Sequence, residues 1–281
     1  MKQFKSHHAK KRLSQHWLID RNILGKMLEA SALTPADHVI EIGTGTGFLT
    51  EALAKTAAQV ISYDIDASAQ AVAKKNLAAY SQIEFVHRDM LAEPRPYAEI
   101  AHASACKVIA NIPYKITSPI IDQLSKNKSA LTLAVIMVQK EVGDRMVAFP
   151  GTSEYGAFSV FCQYHFRVEK IWRVSKSCFV PPPDVESMIV RLTPHPAPPV
   201  ALQNEAIFFK LVRAIFLRRR KTLKNCLVKS PELGLTAEMA ETILADVGIS
   251  PLERGEKLSL SALGMLANRL ARDKFETPSD L

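Results

Sequence analysis

The sequence has few cysteines and no apolar run long enough to cross a membrane. Its four cysteines, Cys106, Cys162, Cys178 and Cys226, form no C-x-x-C pair and have no paired histidines beside them. We therefore expect neither a disulfide scaffold nor a metal site, and reduced thiols are typical of the cytoplasm. The longest apolar run, residues 131–138, is too short for a bilayer, so no membrane partner is expected. The basic N-terminus lacks the apolar region of a secretory signal.

Basic residues outnumber acidic ones, and the excess lies in two segments. The 281 residues include 36 Lys plus Arg and 28 Asp plus Glu, a net charge of +8. Residues 1–19 contain five bases and no acid, residues 206–231 contain eight bases and no acid, and the remaining chain has a net charge of −5. Two solvated helix faces would also give such segments, but their concentration favours a surface that binds a polyanion.

The apolar pattern predicts an α/β fold. With 47% hydrophobic and 23% charged residues, the composition is that of a globular protein, not of a disordered or fibrous one. Short apolar, β-branched runs predict five buried strands, at residues 38–42, 60–64, 83–87, 107–110 and 131–138. Ala-rich segments with helical spacing, 48–57 and 67–77, alternate with them, which predicts a doubly wound, mostly parallel sheet. Two further strands, 168–174 and 186–192, are joined only by a Pro-rich segment and predict an antiparallel end to a seven-stranded sheet.

A change of character near residue 200 predicts a second domain. Pro194, Pro196, Pro198 and Pro199 form a stiff linker. The segments beyond it have helical patterns and show no strand, namely residues 204–230, 236–247 and 258–272. We therefore predict a larger domain over residues 1–199 and a small all-α domain over residues 200–281.

A glycine-rich turn follows the first predicted strand. Glu41-Ile42-Gly43-Thr44-Gly45-Thr46-Gly47 opens a helix, and glycines allow a tight turn and close approach to a ligand. A dinucleotide-binding turn would need G-x-G-x-x-G, but the third position of that pattern is Phe48 here. The spacing E-x-G-x-G-x-G is similar to the first motif of class I S-adenosylmethionine-dependent methyltransferases. Other nucleotide binding and a purely structural turn remain alternatives.

Acidic residues follow the next two strands. Asp64 ends the second strand, where a carboxylate can accept hydrogen bonds from both hydroxyls of a ribose, and Asp66 is the alternative. Asp89 follows the third strand and could accept from the exocyclic amine of a cofactor adenine. A lone Asp after a strand is more often a helix cap. Here, however, Gly43, Asp64 and Asp89 follow three successive predicted strands, and this arrangement favours a ligand site.

The motif after the fourth strand has residues that suit the binding of an adenine base and its amine. Asn111-Ile112-Pro113-Tyr114 matches the N/D-P-P-Y/F motif of amino-methyltransferases. The amine of adenine is a poor nucleophile because its lone pair is delocalised into the ring, so a site that accepts from both N–H groups favours attack. The Asn111 side-chain oxygen and the Ile112 carbonyl are suitable acceptors, Pro113 stiffens the turn, and Tyr114 can stack on an extruded base. A proline turn capped by Asn is the structural alternative.

Phe179 is a second candidate for stacking on the base. It precedes Val180-Pro181-Pro182-Pro183, and a polyproline stretch can hold a neighbouring aromatic in an extended pose. An ordinary buried Phe in a loop is the alternative.

Taken together, these motifs resemble the rRNA adenine N6-dimethyltransferases, specifically the small-subunit (16S-type) branch of bacteria and organelles. Besides the glycine turn, Asp64, Asp89 and the N-I-P-Y motif, five other segments match: residues 10–20 (K-K-R-L-S-Q-H-W-L-I-D), 139–142, 155–156, 179–187 and 216–225 (F-L-R-R-R-K-T-L-K-N). The resemblance implies a Rossmann-like methyltransferase sheet and S-adenosylmethionine as cofactor. It implies dimethylation of N6 on two adjacent adenosines near the 3′ end of small-subunit rRNA, within an immature small subunit, by a monomer.

The resemblance also implies roles for individual residues. The cofactor contacts correspond to His16, Leu18, Gly43, Asp64, Asp89 and Asn111. The adenine contacts correspond to Asn111, Pro113, Tyr114 and Phe179. The two basic segments predict RNA contacts at Lys11, Arg12, Arg218, Arg219, Arg220 and Lys221.

The chain departs from the family in its N-terminal motif. His16 stands where the family has Asn, and Ser14 where it has Gly.

Three other functions compete with this reading. A large-subunit rRNA dimethyltransferase of the macrolide-resistance type would share the sheet and N-I-P-Y, but segment 216–225 and Pro181–Pro183 favour the small-subunit branch. A non-catalytic binding protein, such as an assembly checkpoint or a mitochondrial transcription-factor relative, would not need an intact N-I-P-Y. A DNA adenine methyltransferase would more often have D-P-P-Y and a separate recognition domain.

Overall fold

The protein is described here from a computed structural model, for residues 15–103 and 105–275, the last three without their side chains. The chain forms two packing units. Unit 1 contains the described residues of Met1–Gly143 and Phe166–Pro194, and unit 2 contains those of Asp144–His165 and His195–Leu281. The sequence analysis assigned residues 144–165 to the larger domain, whereas their side chains pack in unit 2. The assignment of methyl transfer to residues 1–199 and of RNA binding to residues 200–281 stays a prediction.

The centre of unit 1 is a seven-stranded sheet. A short strand, β1 (Trp17–Leu18), pairs with β8 (Phe179–Val180) outside it. The sheet strands are β2 (His38–Ile42), β3 (Gln59–Asp64), β4 (Ile83–His87), β5 (Cys106–Asn111), β6 (Leu131–Gln139), β7 (Phe166–Val174) and β9 (Ser187–Pro194). Their order is β4-β3-β2-β5-β6-β9-β7; the first five are parallel and β9 runs antiparallel to both neighbours. The predicted doubly wound, mostly parallel sheet with an antiparallel end is confirmed.

Helices connect the parallel strands. In unit 1 they are α1 (Arg21–Ser31), α2 (Phe48–Ala54), α3 (Ala67–Asn76), α4 (Tyr97–Ile100) and α5 (Thr117–Lys126), and α6 (Lys140–Met146) spans the end of the unit. Asp20 and Asp66 start α1 and α3 because each side chain accepts amide hydrogen bonds from the first helical turn. Central strand residues such as Val39, Ile40 and Val108 are fully buried, which explains their continuous apolar pattern.

The regular secondary structure of unit 2 consists of helices over its described residues. It contains α7 (Ala157–His165), α8 (Glu205–Leu217), α9 (Leu223–Val228), α10 (Ala237–Asp246) and α11 (Leu260–Phe275). Val160 and Tyr164 of α7 pack in one apolar cluster with Phe208 and Leu211 of α8, which is why residues 144–165 belong to this unit.

The single helix predicted over residues 204–230 is wrong in its middle. Helix α8 ends at Leu217, where Arg218 leaves the helical conformation (φ −127°, ψ 48°), and α9 begins at Leu223. The amides of Leu223 and Lys224 donate to the carbonyls of Glu253 and Pro251 at 2.7 and 3.2 Å. These tertiary bonds replace the intrahelical ones that a continuous helix would make.

Candidate active site

The main cleft of unit 1 opens where β2, β3 and β5 end. Its volume, counted with the solvent space at its open mouth, is about 600 Å³. Its lining residues are Gln15, His16, Trp17, Gly43, Gly45, Asp64, Ile65, Asn111, Ile112, Pro113 and Tyr114. Parallel strands bring their carboxyl ends to one edge, so residues far apart in sequence meet here. Six of the predicted site residues are therefore brought together: His16, Gly43, Asp64, Asn111, Pro113 and Tyr114.

The Asp64 carboxylate is held by two backbone amides. Oδ2 accepts from the Gly45 N–H at 2.7 Å, and Oδ1 accepts from the Asp66 N–H at 2.7 Å. Burial raises the pKa of Asp64, and these two hydrogen bonds oppose the rise. Each oxygen keeps a second lone pair, so the carboxylate can still accept from hydroxyl groups of a ligand in the cleft.

The glycine turn needs its glycines at two positions for different reasons. Gly45 has φ +53°, a left-handed conformation that aims its N–H at Asp64. Gly47 has φ +91°, and a Cβ there would lie 2.9 Å from the side chain of Leu77. Gly45 therefore helps to position Asp64 at the cleft, and Gly47 allows α2 to begin against the end of α3.

A buried polar chain lies beneath the turn. Gln70 Nε2 donates to Thr44 Oγ1 at 3.2 Å, the Thr44 hydroxyl lies 2.6 Å from Ser62 Oγ, and Ser62 donates to Glu41 Oε2 at 2.5 Å. The Thr50 hydroxyl donates to the same Glu41 oxygen at 2.6 Å. Because Thr44 lies between Gly43 and Gly45, this chain fixes the turn from below.

Glu41 gives the site a testable pH dependence. Burial raises the pKa of its carboxyl to about 8, above the ordinary value of 4.5. Between those pH values the folded state binds a proton that the unfolded state does not, so stability falls as pH rises, by up to about 1.4 kcal/mol per unit. We expect Glu41→Gln to flatten that slope in urea unfolding measured at pH 5, 6, 7 and 8. An unchanged slope would mean that Glu41 is ionised in the folded protein.

The side chain of Asn111 has one defined orientation. Its Nδ2 donates to the carbonyl oxygen of His16 at 3.1 Å. Since a carbonyl can only accept, the amide nitrogen must face His16, and Oδ1 remains as an acceptor at the cleft. Ile112, next in the chain, is anchored by its amide, which donates to the Met137 carbonyl at 3.3 Å.

Tyr114 is anchored at its hydroxyl and stacked on its ring. The hydroxyl lies 2.7 Å from the Oγ of Ser187, a fully buried residue at the start of β9, and burial raises the pKa of Tyr114. The ring lies 5.9 Å from the imidazole of His16, with 23° between their planes. These two contacts hold the Tyr114 side chain in place at the lining of the cleft.

Three predicted site residues lie elsewhere. Phe179 is 2% exposed and packs in the core of unit 1, and Leu18 pairs with it in register. Leu18 lines a smaller recess that adjoins the main cleft beside Gly43. Asp89 is exposed and caps a 3-10 turn, where Oδ1 accepts from the Leu91 N–H at 2.9 Å. Their roles toward ligands stay predictions.

Some residues of the site were not singled out from sequence. Ile65 lines the cleft with 52% exposure, and Ser62 and Thr50 hold Glu41. An apolar residue directly after Asp64 was the available signal for Ile65. No sequence signal identifies Ser62 and Thr50, since both lie inside ordinary elements.

The predicted RNA-binding residues have different environments. Lys11 and Arg12 lie outside the described residues. Arg219 donates to the Ser153 carbonyl at 2.9 Å and to Glu256 at 3.4 Å, so it supports unit 2. Arg218 is half-buried, whereas Arg220 and Lys221 are exposed.

The described residues were searched for a metal-binding group and for a membrane-spanning helix. Within residues 15–103 and 105–275, no group of three or more His, Cys, Asp or Glu side chains could hold a metal ion. Over that same part of the chain, every helix is too short or too polar to cross a bilayer.

Known proteins match the chain over most of its length. Residues 6–263 match the family model of ribosomal RNA adenine dimethylases. A protein of Geobacillus thermodenitrificans, "Ribosomal RNA small subunit methyltransferase A", is 40% identical over 93% of this chain and 90% of its own length. The protein of the same name from Halothermothrix orenii is 40% identical over 92% and 87%.

Two solved structures share the fold. A dimethyladenosine transferase from Plasmodium falciparum has a TM-score of 0.79 and 29% identity, and the match covers 92% of this chain and 98% of that one. The 23S rRNA methyltransferase ErmE has a TM-score of 0.69 and 25% identity, over 91% and 99%.

The cleft, the oriented Asn111 and the fold thus agree with the sequence matches. The predicted enzyme class, an S-adenosylmethionine-dependent rRNA adenine dimethyltransferase, is confirmed, and the chain belongs to the ribosomal RNA adenine dimethylase family.

Proposed function

We propose that this protein dimethylates N6 of two adjacent adenosines near the 3′ end of small-subunit rRNA, as a cytoplasmic monomer acting on an immature small subunit. The choice of small-subunit rRNA is supported by the names of the 40%-identical relatives. The observation that carries the chemistry is the Asn111 side chain, which presents Oδ1 as an acceptor in the same cleft as Asp64 and Tyr114.

The residues of the cleft fit S-adenosylmethionine. Asp64 keeps lone pairs for the two ribose hydroxyls, and the backbone at Gly43 lies open to the cleft. Leu18 provides an apolar wall in the adjoining recess, and Asp89 is the proposed acceptor for the cofactor's adenine amine. When bound, the cofactor supplies an electrophilic methyl group on a sulfonium.

The chain's own residues hold the target amine. Asn111 Oδ1 and the Ile112 carbonyl accept from its two N–H groups, which keeps the nitrogen lone pair out of conjugation with the ring. Pro113 (φ −55°) stiffens the turn between these acceptors and Tyr114, whose ring stacks on the base. Fixing the amine in line for transfer contributes much of the acceleration. Phe179 is the candidate from the sequence for stacking on the second face of the base.

A labelling experiment tests the substrate. Radiolabelled S-adenosylmethionine is supplied with undermethylated small subunits, mature small subunits, large subunits or naked rRNA, and the labelled nucleotides are mapped. We expect label on two adjacent adenosines of undermethylated small subunits. Label in large subunits alone would assign the protein to the rival branch, and no label anywhere would indicate a non-catalytic binding protein.

The basic segment of unit 2 gives a prediction of its own. We expect Arg220→Gln with Lys221→Gln to weaken binding to small subunits and to reduce the slope of log K against log salt by about 1.4 to 1.8. Arg219 is left intact because it supports unit 2.

Its matched control removes the same charge elsewhere. Lys74 and Lys75 are exposed on α3 of unit 1, and changing both to Gln should leave the salt slope unchanged. Equal slopes for the two double variants would show that residues 220 and 221 are not the electrostatic contact.

A further inference from the structure

We infer that Phe149 of unit 2 stacks on an unpaired base of small-subunit rRNA, at a surface where exposed apolar side chains lie among basic ones. This inference rests on the proposed function and deepens it, since it names the part of the substrate that the surface takes: a single-stranded segment apart from the two target adenosines. The surface consists of residues 149–154, 217–224 and 251–257, all in unit 2, and is named here the stacking surface.

Phe149 is held on a closed turn with its side chain outside the core. In this turn the amide and the hydroxyl of Thr152 donate to the Phe149 carbonyl at 3.2 and 2.7 Å. Pro150 fixes its own φ, and Gly151 adopts φ +88°, a conformation that favours glycine. The preceding Ala148 packs in the core of unit 2, whereas Phe149 is 73% exposed. A fixed backbone therefore presents the ring to solvent.

Hydrogen bonds join this turn to the other two segments of the stacking surface. The Gly151 amide donates to the Glu256 carbonyl at 2.8 Å. The Arg219 guanidinium donates to the Ser153 carbonyl at 2.9 Å and to the Glu256 carboxylate at 3.4 Å. The other two segments are joined to each other by the amide bonds that separate α8 from α9. The three segments thus form one connected surface.

Each of the three segments exposes one large apolar side chain. Phe149 and Leu217 are 73% exposed, and Leu252 is 78% exposed. Among the described residues, the next most exposed large apolar side chain is Ile65, at 52%. Single exposed apolar residues are ordinary, but three of them on segments that are bonded to one another indicate a binding surface.

The stacking surface is also basic. Its three segments contain seven bases and three acids, a net charge of +4. Two of the acids contact bases within the surface, since Glu256 lies 3.4 Å from Arg219 and Glu253 lies 3.4 Å from Lys257. The side chains of residues 220 and 221, an arginine and a lysine, are exposed. The net positive charge attracts a polyanion.

Unpaired RNA is the partner that fits both properties. A single strand offers phosphates to basic side chains and open base faces to aromatic ones, and stacking accepts any base. In a duplex, neighbouring base pairs cover those faces. An apolar protein partner would use Phe149, Leu217 and Leu252 but would offer no phosphate to the exposed bases.

Variants of Phe149 in the full chain separate stacking from general apolar contact. Phe149→Tyr keeps an aromatic ring, Phe149→Leu keeps apolar bulk without a ring, and Phe149→Ala removes both. Trp172→Ala is the matched control, because it removes another exposed aromatic side chain, on β7 of unit 1. The probes are undermethylated small subunits, a short single-stranded RNA, and the duplex of that strand with its complement. Dissociation constants are measured at several salt concentrations, and melting temperatures check the folding of each variant.

We expect Phe149→Ala and Phe149→Leu to weaken binding to small subunits and to the single strand by roughly 5- to 150-fold, the range for losing one base–aromatic stack. Phe149→Tyr and Trp172→Ala should bind as wild type does, and wild type should prefer the single strand to the duplex. The salt dependence should be the same for all four variants, because none of them changes a charge. The double variant at residues 220 and 221 is expected to differ in this respect.

Other outcomes overturn the inference. Wild-type binding by Phe149→Ala would remove any role for this side chain, and wild-type binding by Phe149→Leu would make the contact apolar and not a stack. Weaker binding of Phe149→Ala to small subunits, with unchanged binding to the single strand, would assign the surface to a ribosomal protein. Failure of wild type to methylate small subunits, with the effect of Phe149→Ala on the single strand retained, would instead count against the proposed function.

Discussion

Asn111→Ala is expected to reduce methyl transfer by about 100- to 1,000-fold while most of the binding to small subunits remains. The variant lacks the Oδ1 acceptor, so one N–H of the target amine stays unbound and the nitrogen lone pair stays conjugated with the ring. Loss of one positioned hydrogen-bonding group at a reacting atom typically has an effect of this size. The measurement is a single-turnover assay with undermethylated small subunits at saturating S-adenosylmethionine.

Two controls separate this effect from damage to the backbone around His16. Asn111 also donates to the His16 carbonyl, so melting temperature and cofactor affinity of the variant must be compared with wild type. Asn76→Ala, at the exposed end of α3, removes an amide side chain far from any proposed acceptor and should retain full activity. A wild-type rate for Asn111→Ala would rule out the acceptor mechanism.

Asp64→Ala is expected to raise the dissociation constant for S-adenosylmethionine by roughly 10- to 150-fold. This range corresponds to the 1.5–3 kcal/mol typical of hydrogen bonds to a charged group, here the proposed hydrogen bonds from the ribose hydroxyls. The change also leaves the amides of Gly45 and Asp66 without their shared acceptor, so the glycine turn loses its link to β3. Calorimetry measures the affinity directly.

Asp66→Asn is the matched control. The Asp66 side chain is buried and caps α3, where Oδ1 accepts from the amides of Ser68 and Ala69. An asparagine oxygen can make the same cap. The Gln15 amide, which donates to Asp66 Oδ2 at 2.9 Å, can turn over and accept from the new amide nitrogen, so cofactor affinity should stay within about twofold of wild type. Weaker binding by Asp66→Asn, with Asp64→Ala unaffected, would make Asp66 the ribose partner.

The local pattern of the chain was enough to predict the sheet. Interior strands are buried on both faces, so each needs an unbroken apolar, β-branched run, and such runs are visible in one dimension. The turn residues after β2 and β5 were equally visible, because glycine and proline are required by backbone geometry and not by distant contacts.

The break between α8 and α9 could not be predicted in this way. Residues 204–230 have a helical composition throughout. The helix is interrupted where the amides of Leu223 and Lys224 donate to the carbonyls of Glu253 and Pro251 and not to carbonyls within the helix. The same holds for residues 144–165, whose place in unit 2 depends on packing with α8. Competition between local and tertiary hydrogen bonds is decided by partners far away in sequence.

The sequence by itself determined the fold class, the family and the chemical types at the cleft, because these follow from local periodicity and from short motifs. Only the tertiary structure decided which side chains share the cleft and which way each one faces. It oriented Asn111 through the His16 carbonyl, buried Phe179 and placed the His16 ring on Tyr114. These outcomes depend on contacts between residues far apart in the sequence, separated by 95 positions for His16 and Asn111, which no local pattern specifies.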